Sequence, residues 1–137
     1  MIIDHLGIAV RSLELSLRFY RDALGLQADG PEEVACEGVR IAFLTVGEGR
    51  IELLEPLGPD SAVARFLDKR GEGIHHVCLR VTDLDAALAA VADAGAQIIE
   101  PAPRNGAGGR RVAFLHPKST GGVLLELVEG AGASGRT

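Results

Sequence analysis

The chain has 137 residues and a mass of 14.3 kDa, the size of one ordinary domain and too small for separate catalytic and cofactor domains. Its 47% hydrophobic and 24% charged residues describe a globular protein, and a net charge of −5 excludes non-specific nucleic-acid binding, which needs an extended basic surface. Cys36 and Cys78 lack CxxC spacing, and nothing before Ile3 resembles a signal peptide or membrane span, which predicts a reduced, cytoplasmic protein with buried thiols and no membrane partner.

In chain order, His5 to Val10 alternates and predicts a strand, followed by a helix whose apolar stripe is Leu13, Leu17, Tyr20 and Leu24. Ser12 is its candidate N-cap and Gly25 its stop. Strands are predicted around Gln27–Cys36, Val39–Val46 and Arg50–Leu54. Pro56 to Asp60 is rich in turn residues, and Ser61 to Lys69 predicts a connecting helix carrying Val63, Phe66 and Leu67. The pattern then restarts. A strand over His76–Val81 precedes a helix with Leu84, Leu88 and Val91 on one stripe, Thr82 or Asp83 as cap and Gly95 as stop. Strands follow at Gln97–Pro101, Arg110–Leu115 and Gly122–Val128, with a flexible Gly-rich loop over Arg104–Arg110.

The restart is an internal duplication. The segment Ile3 to Leu13 lies over Ile74 to Leu84 at a shift of 71 (74 − 3), and Arg40-Ile41-Ala42-Phe43-Leu44 lies over Arg111-Val112-Ala113-Phe114-Leu115 at the same shift. After three extra loop residues, Ile51 to Glu55 lies over Leu125 to Glu129. The expected organisation is one α+β domain over residues 1–130, made of two tandem βαβββ modules that form a metal-containing cleft. Repeat 1 spans 1–56, the linker helix 57–71 and repeat 2 72–130, with a frayed tail at 131–137.

The duplication carries the chemistry. His5 and His76 occupy equivalent strand positions, and so do Glu52 and Glu126. Two imidazoles and two carboxylates make an N₂O₂ set that suits Co²⁺, Ni²⁺, Zn²⁺ or Mn²⁺ and leaves positions open for a substrate oxygen. A single His in an apolar strand is more often a hydrogen-bonded core residue. Each Glu is flanked by apolar neighbours, so alternation sends it to the opposite face, which is either the site or solvent.

With these residues in place, the chain resembles the vicinal oxygen chelate superfamily and, within it, the methylmalonyl-CoA epimerases. The resemblance runs from Ile3 to Val128. It rests on Asp4-His5-Leu6-Gly7-Ile8-Ala9-Val10, Glu52-Leu53-Leu54-Glu55-Pro56-Leu57, Gly73-Ile74-His75-His76-Val77, Phe114-Leu115-His116-Pro117-Lys118-Ser119 and Gly122 to Leu127. It implies that His5, Glu52, His76 and Glu126 hold a divalent metal, with Co²⁺ first, and that the chain is a homodimer acting on an acyl-CoA. A thioester bearing a second carboxylate on its α-carbon could chelate the ion through two oxygens, which stabilises the enolate left when the α-proton leaves. Epimerisation returns the proton on the other face, so each face needs a base. Glu126 is the first candidate, with Glu52 or another residue on the opposite face. Some bacterial relatives carry an acid in the third strand of the first module, where this chain has Ile41.

Arg104, Arg110, Arg111 and Lys118 are candidates for the CoA phosphates, the bland reading being a solvated hairpin. Lys118 and Ser119 are alternatives for the substrate carboxylate, and His75 and His116 are read as structural. Two rivals are a glyoxalase I-type lyase using the same four ligands and a non-catalytic small-molecule-binding protein of the same fold.

Overall fold

The structure is a computed structural model, and it describes residues 1–130. The chain groups into two compact units, one of His5–His75 and one of Met1–Asp4 with the residues from His76 onward. The proposed tail at 131–137 lies outside the described residues.

The first unit contains β1 (Ile2–Ala9) from His5 on, α1 (Leu13–Leu17), β2 (Ala28–Val34), β3 (Val39–Val46), β4 (Gly49–Pro56) and α2 (Ala62–Arg70). Its strands lie in the order β2-β3-β4-β1. β3 and β4 are antiparallel, while β1 runs parallel to β4 with Gly7 beside Glu52 and Ala9 beside Leu54. One sheet face takes Ala42, Leu44 and Leu53 against Leu13 and Leu17 of α1. The other carries Ile41, Phe43, Glu52 and Leu54, as period-two alternation requires.

The predicted first helix is corrected in its second half. Ser12 accepts from the Leu15 amide at 3.1 Å and starts α1, but after Leu17 the backbone widens into a π-helical turn over Arg18–Ala23, with the Leu24 amide reaching the Phe19 carbonyl at 2.8 Å. A π turn needs more residues per revolution, so the stripe drifts. Leu24 is 56% exposed, and Leu26 packs on the core instead.

The second unit repeats the plan with β5 (Gly73–Val81) from His76 on, α3 (Leu84–Asp93), β6 (Ile98–Asn105), β7 (Arg111–Leu115) and β8 (Leu125–Glu129), ordered β5-β8-β7-β6. α3 is regular. Asp83 caps it by accepting from the Ala86 amide at 3.0 Å, and Leu84 and Leu88 pack on Ala113, Leu115 and Leu127. The opposite face carries Cys78, Val112 and Val128, with Phe114 packed on them.

Two further expectations are corrected. β6 continues to Asn105, so Arg104 belongs to a strand, opposite Val112, rather than to the Gly-rich loop. Pro101 and Pro103 are tolerated because β6 is the last strand in its unit's order, where a missing N–H costs no ladder bond. Neither cysteine is in a disulfide, and only Cys78 is buried; Cys36 is exposed on a short 3₁₀ turn.

One anchor is built twice. Glu55 accepts from the Leu13 amide at 3.0 Å and from Arg40 at 3.2 Å. Glu129 accepts from the Leu84 amide at 3.0 Å and from Arg111 at 3.0 Å. Each carboxylate ties the end of a strand to an unsatisfied amide at a helix start.

Candidate metal and substrate site

In the first unit His5 reaches Glu52 across the β1/β4 pair, with Nε2 3.3 Å from Oε1. In the second, His76 Nε2 lies 3.1 Å from Glu126 Oε1. All four residues are buried, at 3%, 6%, 3% and 8% exposure for His5, Glu52, His76 and Glu126. The solvent-facing reading of the two glutamates therefore falls, and each face alternation places the carboxylate away from its apolar neighbours as expected.

The donor chemistry fits a metal. Two atoms bound to one ion at about 2.0–2.2 Å and roughly at right angles stand about 3 Å apart, which is the spacing inside each pair. Each His–Glu pair therefore offers one imidazole nitrogen and one carboxylate oxygen, donors that suit a divalent metal.

Each pair has the same aromatic support. Phe43, opposite Glu52 in register, meets the His5 ring edge-on at 5.5 Å, and Phe114, opposite Glu126, meets His76 at 6.1 Å. The Arg50 guanidinium lies 3.8 Å over Phe43, and that of Arg104 lies 5.0 Å over Phe114. These contacts fix imidazole orientation by packing. Sequence reasoning missed Phe43 and Phe114, although both lie in the matched repeat segments. Nothing in the sequence singled out Arg50.

The remaining predicted residues are spread over β6, β7 and the turn after it. Arg111 donates to Glu129 and to Asp85 at 2.9 Å. Its hydrogen bonds to Asp85 and Glu129 hold its guanidinium above the ordinary value. Lys118 and Ser119 are exposed on the 3₁₀ turn Pro117–Ser119. Ser119 Oγ accepts from the Gln97 amide at 2.8 Å, and His116 Nδ1 caps the turn by accepting from the Lys118 amide at 3.0 Å. His75 packs edge-on against Phe66 at 5.0 Å. Ile41, 1% exposed, shares the face of Glu52 and offers no proton acceptor.

The sequence offers Arg110 only as one of four basic residues around the loop. It forms a fork on Asp4, Nη1 to Oδ1 at 3.2 Å and Nη2 to Oδ2 at 2.9 Å, and Arg80 Nε joins the same Oδ1 at 3.0 Å. Burial works against the Arg110 charge, and Asp4 outweighs it, so the guanidinium is held above its ordinary value.

Residues 4–114 match the model of the Glyoxalase/Bleomycin resistance protein/Dioxygenase superfamily. The ethylmalonyl-CoA/methylmalonyl-CoA epimerase of Cereibacter sphaeroides is 42% identical over 127 residues, covering 91% of this chain and 95% of that protein. The crystal structure of methylmalonyl-CoA epimerase from Mycobacterium tuberculosis superposes with a TM-score of 0.89 at 41% identity, over 95% of this chain and 88% of that one. A Streptomyces coelicolor methylmalonyl-CoA epimerase in complex with 2-nitronate-propionyl-CoA gives 0.91 at 41% identity, over 96% and 95%. Among the described residues no helix is long and apolar enough to cross a membrane.

Proposed function

We propose that this chain, which belongs to the Glyoxalase/Bleomycin resistance protein/Dioxygenase superfamily, interconverts (R)- and (S)-methylmalonyl-CoA by removing and returning the α-proton. The observation that carries the reading is the buried His–Glu pair present in both repeats, in a chain about 40% identical to proteins named as methylmalonyl-CoA epimerases.

His5, Glu52, His76 and Glu126 would hold one divalent ion, read as Co²⁺ before Ni²⁺, Zn²⁺ or Mn²⁺. When bound, such an ion supplies Lewis acidity toward the thioester and carboxylate oxygens. The protein's own part is proton transfer. A carboxylate within hydrogen-bond reach of the α-carbon accepts the proton, and a second group on the other face returns one. Glu126 takes the first role, and Glu52 or another group on the opposite face the second, since Ile41 offers no acceptor; either glutamate would have to be released from the ion to act as the base. Phe43 and Phe114 keep the imidazoles from swinging. For the CoA tail the reading takes Arg104, Lys118, Ser119 and Arg111. Lys118 comes first because it is exposed, and Arg111 last because Asp85 and Glu129 already take its donors. The assembly is read as a homodimer.

Both rivals are less favoured. A non-catalytic binding protein has no use for two complete buried pairs, and the glyoxalase I-type lyase lacks support from the relatives at this identity. The test is proton NMR of methylmalonyl-CoA with the chain in D₂O. The α-proton should exchange, stop exchanging with chelator, and resume with Co²⁺ at about one ion per chain. Turnover of a glutathione hemithioacetal at a comparable rate would overturn the epimerase reading. Sedimentation at micromolar concentration checks the dimer.

A further inference from the structure

The second unit carries a charged cluster that the metal pairs do not use. Asp4 is 1% exposed and accepts from two guanidiniums, in a fork from Arg110 and through Nε of Arg80. The Arg80 side chain is 13% exposed and that of Arg110 31%. A guanidinium has five N–H donors, and the fork to Asp4 uses two of Arg110's, so the group is held in place with donor capacity still pointing elsewhere.

The register shows which face it belongs to. On β5, His76, Cys78 and Arg80 alternate onto one face. Cys78 stands beside Glu126 and Arg80 beside Val128 on β8. Val112 and Phe114 of β7 face those same residues, so Arg110, two before Val112, continues the row. Gly130 leaves the room this needs, since a Cβ there would come within 3.1 Å of Arg80 Cδ and 3.8 Å of Arg110 Nη1.

The first unit has nothing of the kind. At the repeat shift of 71, Arg80 answers to Ala9 and Arg110 to Val39, both buried and neutral. The braced positive charge is thus a feature of one repeat alone.

We propose that Arg110, braced by Asp4 beside Arg80, recognises the free carboxylate of a malonyl-type acyl-CoA and sets which way the substrate lies. The inference rests on the acyl-CoA reading above and assigns Arg110 to the acyl carboxylate rather than to the CoA phosphates. Rigid bracing means that no side-chain freedom is lost on binding, and a forked guanidinium matches a carboxylate in geometry as well as charge.

The test is titration calorimetry of the metal-loaded chain with malonyl-CoA and acetyl-CoA, which share the thioester and CoA tail and differ in the carboxylate. Wild type should prefer malonyl-CoA. In Arg110→Met that preference should fall about tenfold while acetyl-CoA affinity holds, the factor carried by one lost charge-assisted hydrogen bond. Arg110→Lys keeps the charge without the fork and should recover part of the preference, which also separates recognition from misfolding. An unchanged preference in a folded Arg110→Met, or an equal loss for both esters, would overturn the proposal, the second by returning Arg110 to the CoA tail. Wild type binding both esters alongside that result would leave the acyl-CoA reading standing. Wild type binding neither would remove the acyl-CoA reading and this inference together.

Discussion

Set side by side, the two repeats agree where chemistry is needed and differ one row further along. His5, Glu52 and Phe43 match His76, Glu126 and Phe114 in kind and in contact, and an arginine lies over each Phe from a non-equivalent strand, Arg50 from β4 and Arg104 from β6. Beyond them the first unit offers Ala9 and Val39, and the second Arg80 and Arg110 on Asp4. Duplication supplies matched side chains at no cost in design, but an unsymmetrical substrate needs a difference between the copies. The difference here is electrostatic and confined to one copy.

The largest test of the matched rows is on rate. Glu126→Gln keeps a coordinating oxygen but cannot take a proton. As a base, Glu126 should lose about 10²–10⁴ in kcat on this change, roughly 3–5 kcal/mol of barrier, with metal still bound. Glu52→Gln should then slow exchange starting from one epimer more than from the other, read as deuterium incorporation. Equal slowing from both epimers in both variants would reduce the two glutamates to ligands only, and so would rescue of Glu126→Gln by excess Co²⁺.

Next in size is packing. Leu13 and Leu84 are equivalent and nearly inaccessible, at 1% and 0% exposure, so Leu13→Ala and Leu84→Ala should each cost about 2–5 kcal/mol in denaturant unfolding. A much smaller loss at Leu13 would show that the π turn lets the first helix relax into the cavity.

The twin anchors come third. Glu55→Gln and Glu129→Gln each weaken a bond to a helix-start amide and one to an arginine, and should each cost about 1–2 kcal/mol after allowing for solvent around partly exposed guanidiniums. Glu129→Gln without effect would free Arg111 for the CoA tail. The smallest effect is expected at Leu24. It belongs to the predicted stripe but is exposed, so Leu24→Ala should stay within about 0.5 kcal/mol, against a clear loss for Leu88→Ala.

What could be read in the sequence follows from range. The repeat, the βαβββ order, both helix caps and the span of β3 depend on local alternation and turn residues, and Val39–Val46 has the predicted bounds. The His and Glu positions were legible because one shift fixed both. The π turn was not, since Arg18 to Ala23 has the same spacing signal as an α-helix. The full span of β6 is not legible, because prolines normally end a strand and only its place in the sheet order allows Pro101 and Pro103. The Asp4 cluster joins residues 76 and 106 positions apart, and Asp4 has no charged counterpart in the other repeat, since that position holds His75.

The Glu55 and Glu129 anchors also make each repeat its own latch. The Leu13 and Leu84 amides bond to carboxylates 42 and 45 residues downstream, so neither can meet deuterated solvent until the strand end and helix start of its own repeat part. Their hydrogen-exchange rates therefore report the opening free energy of each copy separately. A protein assembled from two versions of one sentence thus carries a built-in gauge of which version comes apart first.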